Sequence, residues 1–136
     1  MRYLCLCYIE VERLGRLPRH EREALLEAQV ACDERLRANG CVVASEALEP
    51  VRTVTTVRVR NGRAAVTDGP SAGTQEQLGG FLLIEARDLN DALRIASQLP
   101  SARYGRVEVW PIWEIRRHVH DLRTRQATQA PRSCGP

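Results

Sequence analysis

Residues 65–85 read AVTDGPSAGTQEQLGGFLLIE, and this stretch decides how the chain is organised. Two apolar, strand-like runs at 64–66 and 81–84 flank a segment rich in Gly, Pro, Ser, Thr, Asp and Gln, which predicts a loop between two strands. Asp68-Gly69-Pro70 and Gly79-Gly80 predict tight backbone at its two ends. Long connections without regular structure are commonly binding loops or lids, so we expect function here first.

The run from Asp68 to Phe81 resembles the DGPF motif, DGPFAETKEQLGGF, of the YCII-related proteins. The resemblance continues through residues 88–93 and 100–114 and so covers the chain up to Arg117. It implies a ferredoxin-like, dimeric α+β barrel. Three positions depart from the motif: Ser71 stands in place of Phe, Gly73 in place of the first Glu, and Gln75 in place of Lys.

The order of predicted elements leads to the same fold class. The expected elements are a strand at 2–9, a helix at 19–39, strands at 41–48, 53–60 and 63–67, a strand at 78–86, a short helix after Asp88 and a strand at 104–114. This order is β-α-β, a hairpin, then β-α-β, which predicts an α+β, ferredoxin-like split βαβ fold with an inserted β-hairpin. Helices would cover only one sheet face, so we expect a homodimer to cover the other.

Local signals set several element boundaries. Alternating residues in 2–9 are apolar on both faces, which predicts a central strand. Asn61-Gly62 predicts a type I′ hairpin turn, because both residues can take positive φ. Asp88 is the expected N-cap of the second helix. Residues 10–17 are interpreted as a polar connection. We expect residues 1–117 to form one domain, and 118–136 a short helical extension followed by a partly flexible tail.

Composition excludes several classes of protein. All 20 basic residues are Arg, against 17 acids, which gives no focused basic field for nucleic acid. No apolar run is long enough to span a membrane, and the N-terminus does not resemble a signal peptide, so a cytoplasmic location is expected. Five cysteines without metal spacing predict neither a disulfide framework nor a metal site, and Cys5 and Cys7 should share one strand face. No cofactor fingerprint is present.

Asp68 is the first candidate for a catalytic or ligand-binding residue. Its carboxylate stands at the start of the loop, where it could accept backbone N–H bonds or contact a ligand. An Asx-type turn that holds the loop is the alternative, since Asp-Gly-Pro is common in turns.

Two glutamates are further candidates for ligand binding. Glu76 matches the last Glu of the family motif. If Glu46 faces inward across the barrel, burial would raise its pKa toward general acid/base use. A solvated carboxylate is the alternative for each.

The second group of candidates lies around the last strand. Arg103 could bind a carboxylate or phosphate, or pair with Asp68 or Glu76 and fix the loop. Tyr104 follows it. Trp110 and Trp113 alternate in direction, so one would line a pocket or dimer seam and the other would pack under a helix. Tyr8 could supply a phenol from the first strand.

The resemblance also implies two kinds of function. Some YCII-like enzymes are thought to use a His/Asp pair, one of them in dechlorination of an aromatic. The histidines available here are His20, His118 and His120, none of them in a predicted strand. Proteins of the DGPF type are often encoded beside extracytoplasmic-function sigma factors. We expect a small molecule to bind near loop 68–80, because a long loop with converging polar groups beside an apolar sheet is the usual site in a fold of this kind. A regulatory module linked to a sigma factor is the alternative, and a stable dimer whose motif is purely architectural is the third possibility.

Overall fold

Residues 1–69 and 76–129 are described by a computed structural model. The strands are β1 (Arg2–Glu10), β2 (Val42–Ala47), β3 (Thr55–Arg60), β4 (Arg63–Asp68), β5 (Glu76–Glu85) and β6 (Gly105–Pro111). The helices are α1 (Val11–Gly15), α2 (Arg19–Ala38), α3 (Leu89–Ala96), α4 (Ser101–Tyr104) and α5 (Ile115–Gln129), with a 3₁₀ turn at Val51–Thr53.

Four strands form one antiparallel sheet in the order β2-β5-β1-β6. The parallel strands β1 and β2 are separated by β5, which is the split βαβ arrangement. The α+β, ferredoxin-like prediction is therefore confirmed. β1 is central, as the apolar alternation on both of its faces predicted.

The helix-covered face of the sheet carries the core. Tyr3, Cys5 and Cys7 of β1 are buried there, and α2 and α3 cover them. α2 contributes Cys32 and Leu36 from successive turns of one helix face. The other core members are Ile84, Ala86, Ala92, Ile95, Ala96 and Leu99. Cys5 and Cys7 share one face, as predicted, and act as small buried hydrophobes.

The other sheet face, called the open face below, is not covered by a described helix. Because directly paired residues point the same way, the register places Leu4, Leu83 and Trp110 in one row of this face. Leu6, Phe81 and Glu108 form the next row. The leucines and Phe81 are only partly buried.

β3 and β4 form a separate two-stranded hairpin, paired to each other and not to the four-stranded sheet. Asn61 and Gly62 have φ values of 53° and 74°, so the predicted type I′ turn is confirmed. The apolar residues Val57 and Val59 of β3 are both 61% exposed. Gly69 has φ of 87°, and its N–H donates to the carbonyl of Val54 at 2.7 Å.

Several predicted boundaries are wrong. Residues 11–15 form α1 within the expected polar connection. Helix α5 begins at residue 115, before the predicted extension, and continues to residue 129, so it is longer than the short helix expected there. Gly79 and Gly80 lie inside β5 and do not end the loop. Gly80 is needed for close approach, since a Cβ there would lie 2.9 Å from the carbonyl oxygen of Glu46. Residues 70–75 and 130–136, with most of the loop and tail predictions, fall outside the described residues.

Within the described ranges, no helix has both the length and the apolar character that crossing a bilayer requires.

Candidate functional site

A cleft of about 420 Å³ lies on the helix-covered side of the molecule, between α2 and the β2 edge of the sheet. Its apolar lining comes from α2, β5 and the segment before α4: Leu26, Val30, Leu82, Leu99 and Pro100. Leu99 and Pro100 are buried, whereas Leu26 and Val30 form an exposed lip. A largely apolar cleft of this size fits a small organic molecule.

One wall of the cleft carries a hydrogen-bonded group that we call the Asp33–Arg37–Ser45 cluster. Asp33 and Arg37 are one turn apart on α2, and the Arg37 Nε donates to Asp33 Oδ2 at 2.8 Å. Ser45 reaches them because it lies opposite Leu82 on the helix-covered face of β2. Its hydroxyl donates to Asp33 Oδ1 at 2.5 Å and accepts from Arg37 Nη2 at 2.6 Å.

The cluster keeps Asp33 ionised. Partial burial by itself would raise the pKa of this carboxyl, but the hydrogen bonds from Ser45 and Arg37 and the charge of Arg37 outweigh that effect and lower it. The carboxylate and the guanidinium largely neutralise each other. The cluster therefore offers fixed hydrogen-bonding groups without a strong net charge.

Cys7 and Ser101 lie at the floor of the same cleft. Burial raises the pKa of the Cys7 thiol, and a hydrogen bond with Ser101 opposes this effect only in part. A protonated, buried thiol is a poor nucleophile. The cleft is thus suited to binding a molecule and not to attack on it by Cys7.

A second polar group, the open-face cluster, brings together three of the predicted site residues. Tyr8, Glu76 and Trp110 lie with Arg106 and Glu108, which sequence reasoning missed. Arg106 forms an ion pair with Glu76 and lies over the Tyr8 ring, with Cζ 4.1 Å from the centroid. Trp110 Nε1 donates to Glu108 at 3.3 Å.

The open-face cluster also affects the Tyr8 hydroxyl. Desolvation raises its pKa most, and the hydrogen bond to Glu108 and the charge of that carboxylate raise it further, against the opposing effect of Arg106. Tyr8 therefore stays a neutral phenol at neutral pH.

The remaining predicted residues are not brought together. Asp68 is exposed at the end of β4, opposite Thr55. Arg103 is exposed on α4, and within the described chain it has no ion pair with Asp68 or Glu76. The predicted pairing of Glu76 with Arg103 is wrong, because Glu76 forms its ion pair with Arg106. Tyr104 lies beside Arg13, whose Cζ is 5.5 Å from the ring centroid.

Two further expectations are wrong. Glu46 borders the cleft, but it lies opposite Phe81, so its side chain is on the open face and exposed. The burial on which that expectation depended is absent. The expectation that one tryptophan packs under a helix is also wrong, since Trp110 and Trp113 are 54% and 66% exposed.

Sequence reasoning missed the Asp33–Arg37–Ser45 cluster. Asp33 and Arg37 stand at i, i+4 on the predicted helix, and Ser45 is a polar residue within an apolar strand. These signals could have indicated an ion pair and a polar contact. Among residues 1–69 and 76–129, no group of three or more His, Cys, Asp or Glu side chains could hold a metal ion.

Comparison with known proteins tests the resemblance to the YCII-related proteins. The family model described as the YCII-related domain matches residues 1–116. The chain belongs to the YCII-related family. An uncharacterised protein of Rhizobium meliloti (strain 1021) is 32% identical over 114 residues, covering 82% of this chain and 92% of that protein. These matches name no activity.

A solved structure is also similar to this YCII-related chain. It is the 5-chloro-2-hydroxyhydroquinone dehydrochlorinase of Burkholderia phenoliruptrix AC1100, determined in complex with 2,5-dihydroxybenzoquinone. The TM-score is 0.48 at 18% identity, with 84% of this chain and 94% of that chain covered.

Proposed function

We propose that this YCII-related protein binds a small organic molecule in the cleft between α2 and β2. The observation that carries the proposal is the Asp33–Arg37–Ser45 cluster on the wall of an otherwise apolar cleft of about 420 Å³. A few placed polar groups on a hydrophobic lining are typical of ligand sites.

The chemistry of the lining limits the class of ligand. Leu82, Leu99 and Pro100 offer apolar contact, so most of the ligand should be apolar. The Asp33–Arg37 ion pair is internally neutralised, so it should favour an uncharged hydroxyl or carbonyl group over a strong cation or anion. A compact hydroxylated ring compound fits both requirements.

A fragment screen tests the proposal. Hydroxylated ring fragments are added to the protein and to Asp33→Asn and Ser45→Ala, with Glu12→Gln as a control, which removes an exposed i, i+4 ion pair on α1. Fragments that raise Tm of the parent should raise Tm of the control equally and that of the two cleft variants much less. At a fragment concentration of 100 Kd the expected stabilisation is about 2.7 kcal/mol. Equal shifts in all four proteins would refute the site.

The ligand site that the sequence predicted around loop 68–80 is separate from the cleft between α2 and β2, and it stays a prediction. Of the predicted residues, only Glu46 borders the cleft. Asp68→Ala separates the two sites, because it should leave fragment binding in the cleft unchanged. A ligand that instead loses affinity with Asp68→Ala or Arg103→Ala would favour the loop.

We also infer a homodimer formed across the open face. Its support is the partly exposed apolar surface of Leu4, Leu6, Phe81 and Leu83, which a second copy could cover isologously. Leu6→Glu should give a monomer in sedimentation velocity, while Leu93→Glu, at an exposed position on α3, should not. A parent protein that sediments as a monomer would contradict the inference.

The regulatory alternative, an interaction with a sigma factor, rests on the family resemblance. It predicts capture of an extracytoplasmic-function sigma factor by the purified protein, and the cleft variants should leave that capture unchanged.

A further inference from the structure

Helix α5 presents an amphipathic surface that the described part of its own chain leaves exposed. Its apolar residues Ile115, Val119 and Leu122 follow one another at intervals of four and three, so they line one side of the helix. No residue of α5 is buried, and Ile115 and Leu122 are 50% and 42% exposed. A helix of 15 residues is marginal in water without tertiary contacts, so this side calls for a partner.

Arginines flank the apolar side of α5. Arg116 and Arg123 lie along one edge, and Arg125 lies along the other, as the 100° step between residues requires. Within the described residues none of these three arginines has an ion pair, whereas Arg117, on the opposite side of the helix, pairs with Glu114 at 3.7 Å. The partner of this surface should therefore be apolar in the middle and acidic at the side.

The outer face of α2 has that chemistry. Leu26 and Val30 are one turn apart and are 62% and 58% exposed, so they form an exposed apolar pair. Glu27 and Glu34 lie along one side of this apolar pair. Neither glutamate has an ion pair with another described residue, although Glu23 on the same side is held by Arg19 at 3.1 Å.

The spacing of the unpaired charges matches between the two helices. Arg116 and Arg123 are seven residues apart on α5, and Glu27 and Glu34 are seven residues apart on α2. Both intervals correspond to about 10.5 Å along a helix axis. Two ion pairs can therefore form together when the apolar sides of the helices meet.

We propose that α5 of one copy docks on the outer face of α2 of a second copy. The two helices run antiparallel, so that Val119 and Leu122 pack against Val30 and Leu26. Arg123 then pairs with Glu27, and Arg116 pairs with Glu34. This contact differs from the open-face dimer, since it uses helices and leaves the sheet free. If the two copies are related by twofold symmetry, it forms twice in one dimer. Because Leu26 and Val30 also form the exposed lip of the cleft, this contact places α5 of one copy beside the cleft of the other.

A photo-crosslink between isotopically distinct copies tests the proposal. Benzoylphenylalanine replaces Leu122 in a ¹⁵N-labelled copy, which is mixed with an unlabelled copy, irradiated, digested and analysed by mass spectrometry. The expected product joins position 122 of the labelled copy to residues 23–34 of the unlabelled copy. Links confined to one isotope form, or links to the open face, would overturn the proposal.

Charge reversal supplies the control. Arg123→Glu in the labelled copy should lower the yield of the crosslink about fivefold, and so should Glu27→Arg in the unlabelled copy. Mixing the Arg123→Glu copy with the Glu27→Arg copy should restore the yield to within about twofold. Arg117→Glu and Glu21→Arg reverse charges on the far sides of the same helices and should leave the yield unchanged. Equal losses in these control variants, or no recovery in the swapped mixture, would refute the pairing.

The same labelled copy distinguishes an anionic membrane as the partner of α5. Vesicles of phosphatidylglycerol are added before irradiation. A crosslink that persists supports the contact between copies. If position 122 becomes linked to lipid and no crosslink to residues 23–34 forms when the second copy is present, the proposed contact between copies is overturned.

Discussion

Substitution of Gly105 by Ala tests how closely β1 and β6 approach each other. A Cβ built on Gly105 would lie 1.9 Å from the carbonyl oxygen of Tyr8 and 2.8 Å from its carbonyl carbon. Gly105 pairs with Ile9 at the end of the β1–β6 ladder. The φ of Gly105 is −176°, which any residue adopts, so the expected effect comes from contact and not from backbone conformation.

The magnitude follows from what must move. The oxygen and the new Cβ would have to separate by about 1.1 Å to reach 3.0 Å, the closest approach that real Cβ atoms show. Both groups belong to backbone within a sheet, so no side chain can rotate away. Overpacking usually costs about 1–3 kcal/mol, and this case belongs at the upper end or beyond. With about 4 °C per kcal/mol for a domain of this size, Tm should fall by about 12 °C.

Two other glycines make this a graded experiment. Gly80→Ala meets the carbonyl oxygen of Glu46 at 2.9 Å and should cost less than Gly105→Ala. Gly15→Ala meets nothing within 4 Å and should be neutral or stabilising by up to about 1 kcal/mol. Calorimetry or urea denaturation of the three variants gives the order. A Gly105→Ala protein as stable as Gly15→Ala would show that β1 and β6 are further apart at this point.

Three further predictions concern the core and the first turn of α3. Burial, with the nearby Cys7 thiol, raises the pKa of Cys5 to about 12. Iodoacetamide at pH 7.5 should therefore alkylate the partly exposed Cys41 before Cys5, which should react only after unfolding. Early modification of Cys5 in peptide mass spectrometry would contradict this. Hydrogen bonds from the Arg87 backbone N–H and then from the Arg94 side chain lower the pKa of Asp91 to about 2. The contribution of Asp91 to folding stability should therefore be complete above about pH 4 and be lost as the pH falls toward 2. Asp91→Asn should flatten this part of the plot of stability against pH, and an unchanged acid sensitivity would count against these hydrogen bonds. Leu36→Ala, at a side chain that is 2% exposed, should lower the free energy of unfolding by about 2–5 kcal/mol in urea, and a loss under 1 kcal/mol would indicate a loosely packed helix–sheet interface.

The sequence predicted the parts of the fold that local pattern determines. Apolar residues on both faces of β1 required a central strand, and Asn61-Gly62 required a type I′ turn. The Asp88 cap was also confirmed, since its side chain accepts from the Asp91 N–H at 2.8 Å. Each of these features depends on neighbouring residues alone.

Features that depend on register or on packing could not be predicted in this way. Glu76 pairs with Arg106 and not with Arg103, because α4 occupies residues 101–104 and the last strand starts only after it. Whether Glu46 or Ser45 faces the cleft depends on how β2 pairs with β5, where an irregularity between Val42 and Ala44 shifts the register. A one-residue shift of this kind exchanges the two faces of a strand.

Helices without a buried face were the hardest elements to predict. Neither α1 nor α5 has a buried residue, so no pattern set by the core marks their ends. The length of α5 was underestimated because its apolar side is narrow and its Arg, Thr and Gln content resembles that of a tail.

Among the described residues, β3 and β4 pair with each other and with no strand of the four-stranded sheet. The core therefore does not constrain the length of this hairpin. Residues could be inserted or deleted in pairs at the Asn61-Gly62 turn without altering the pairing of β1, β5 and β6. An epitope or fluorophore inserted at this turn would be carried at the end of an exposed arm. The same freedom would let related chains diverge in this arm while they keep one sheet.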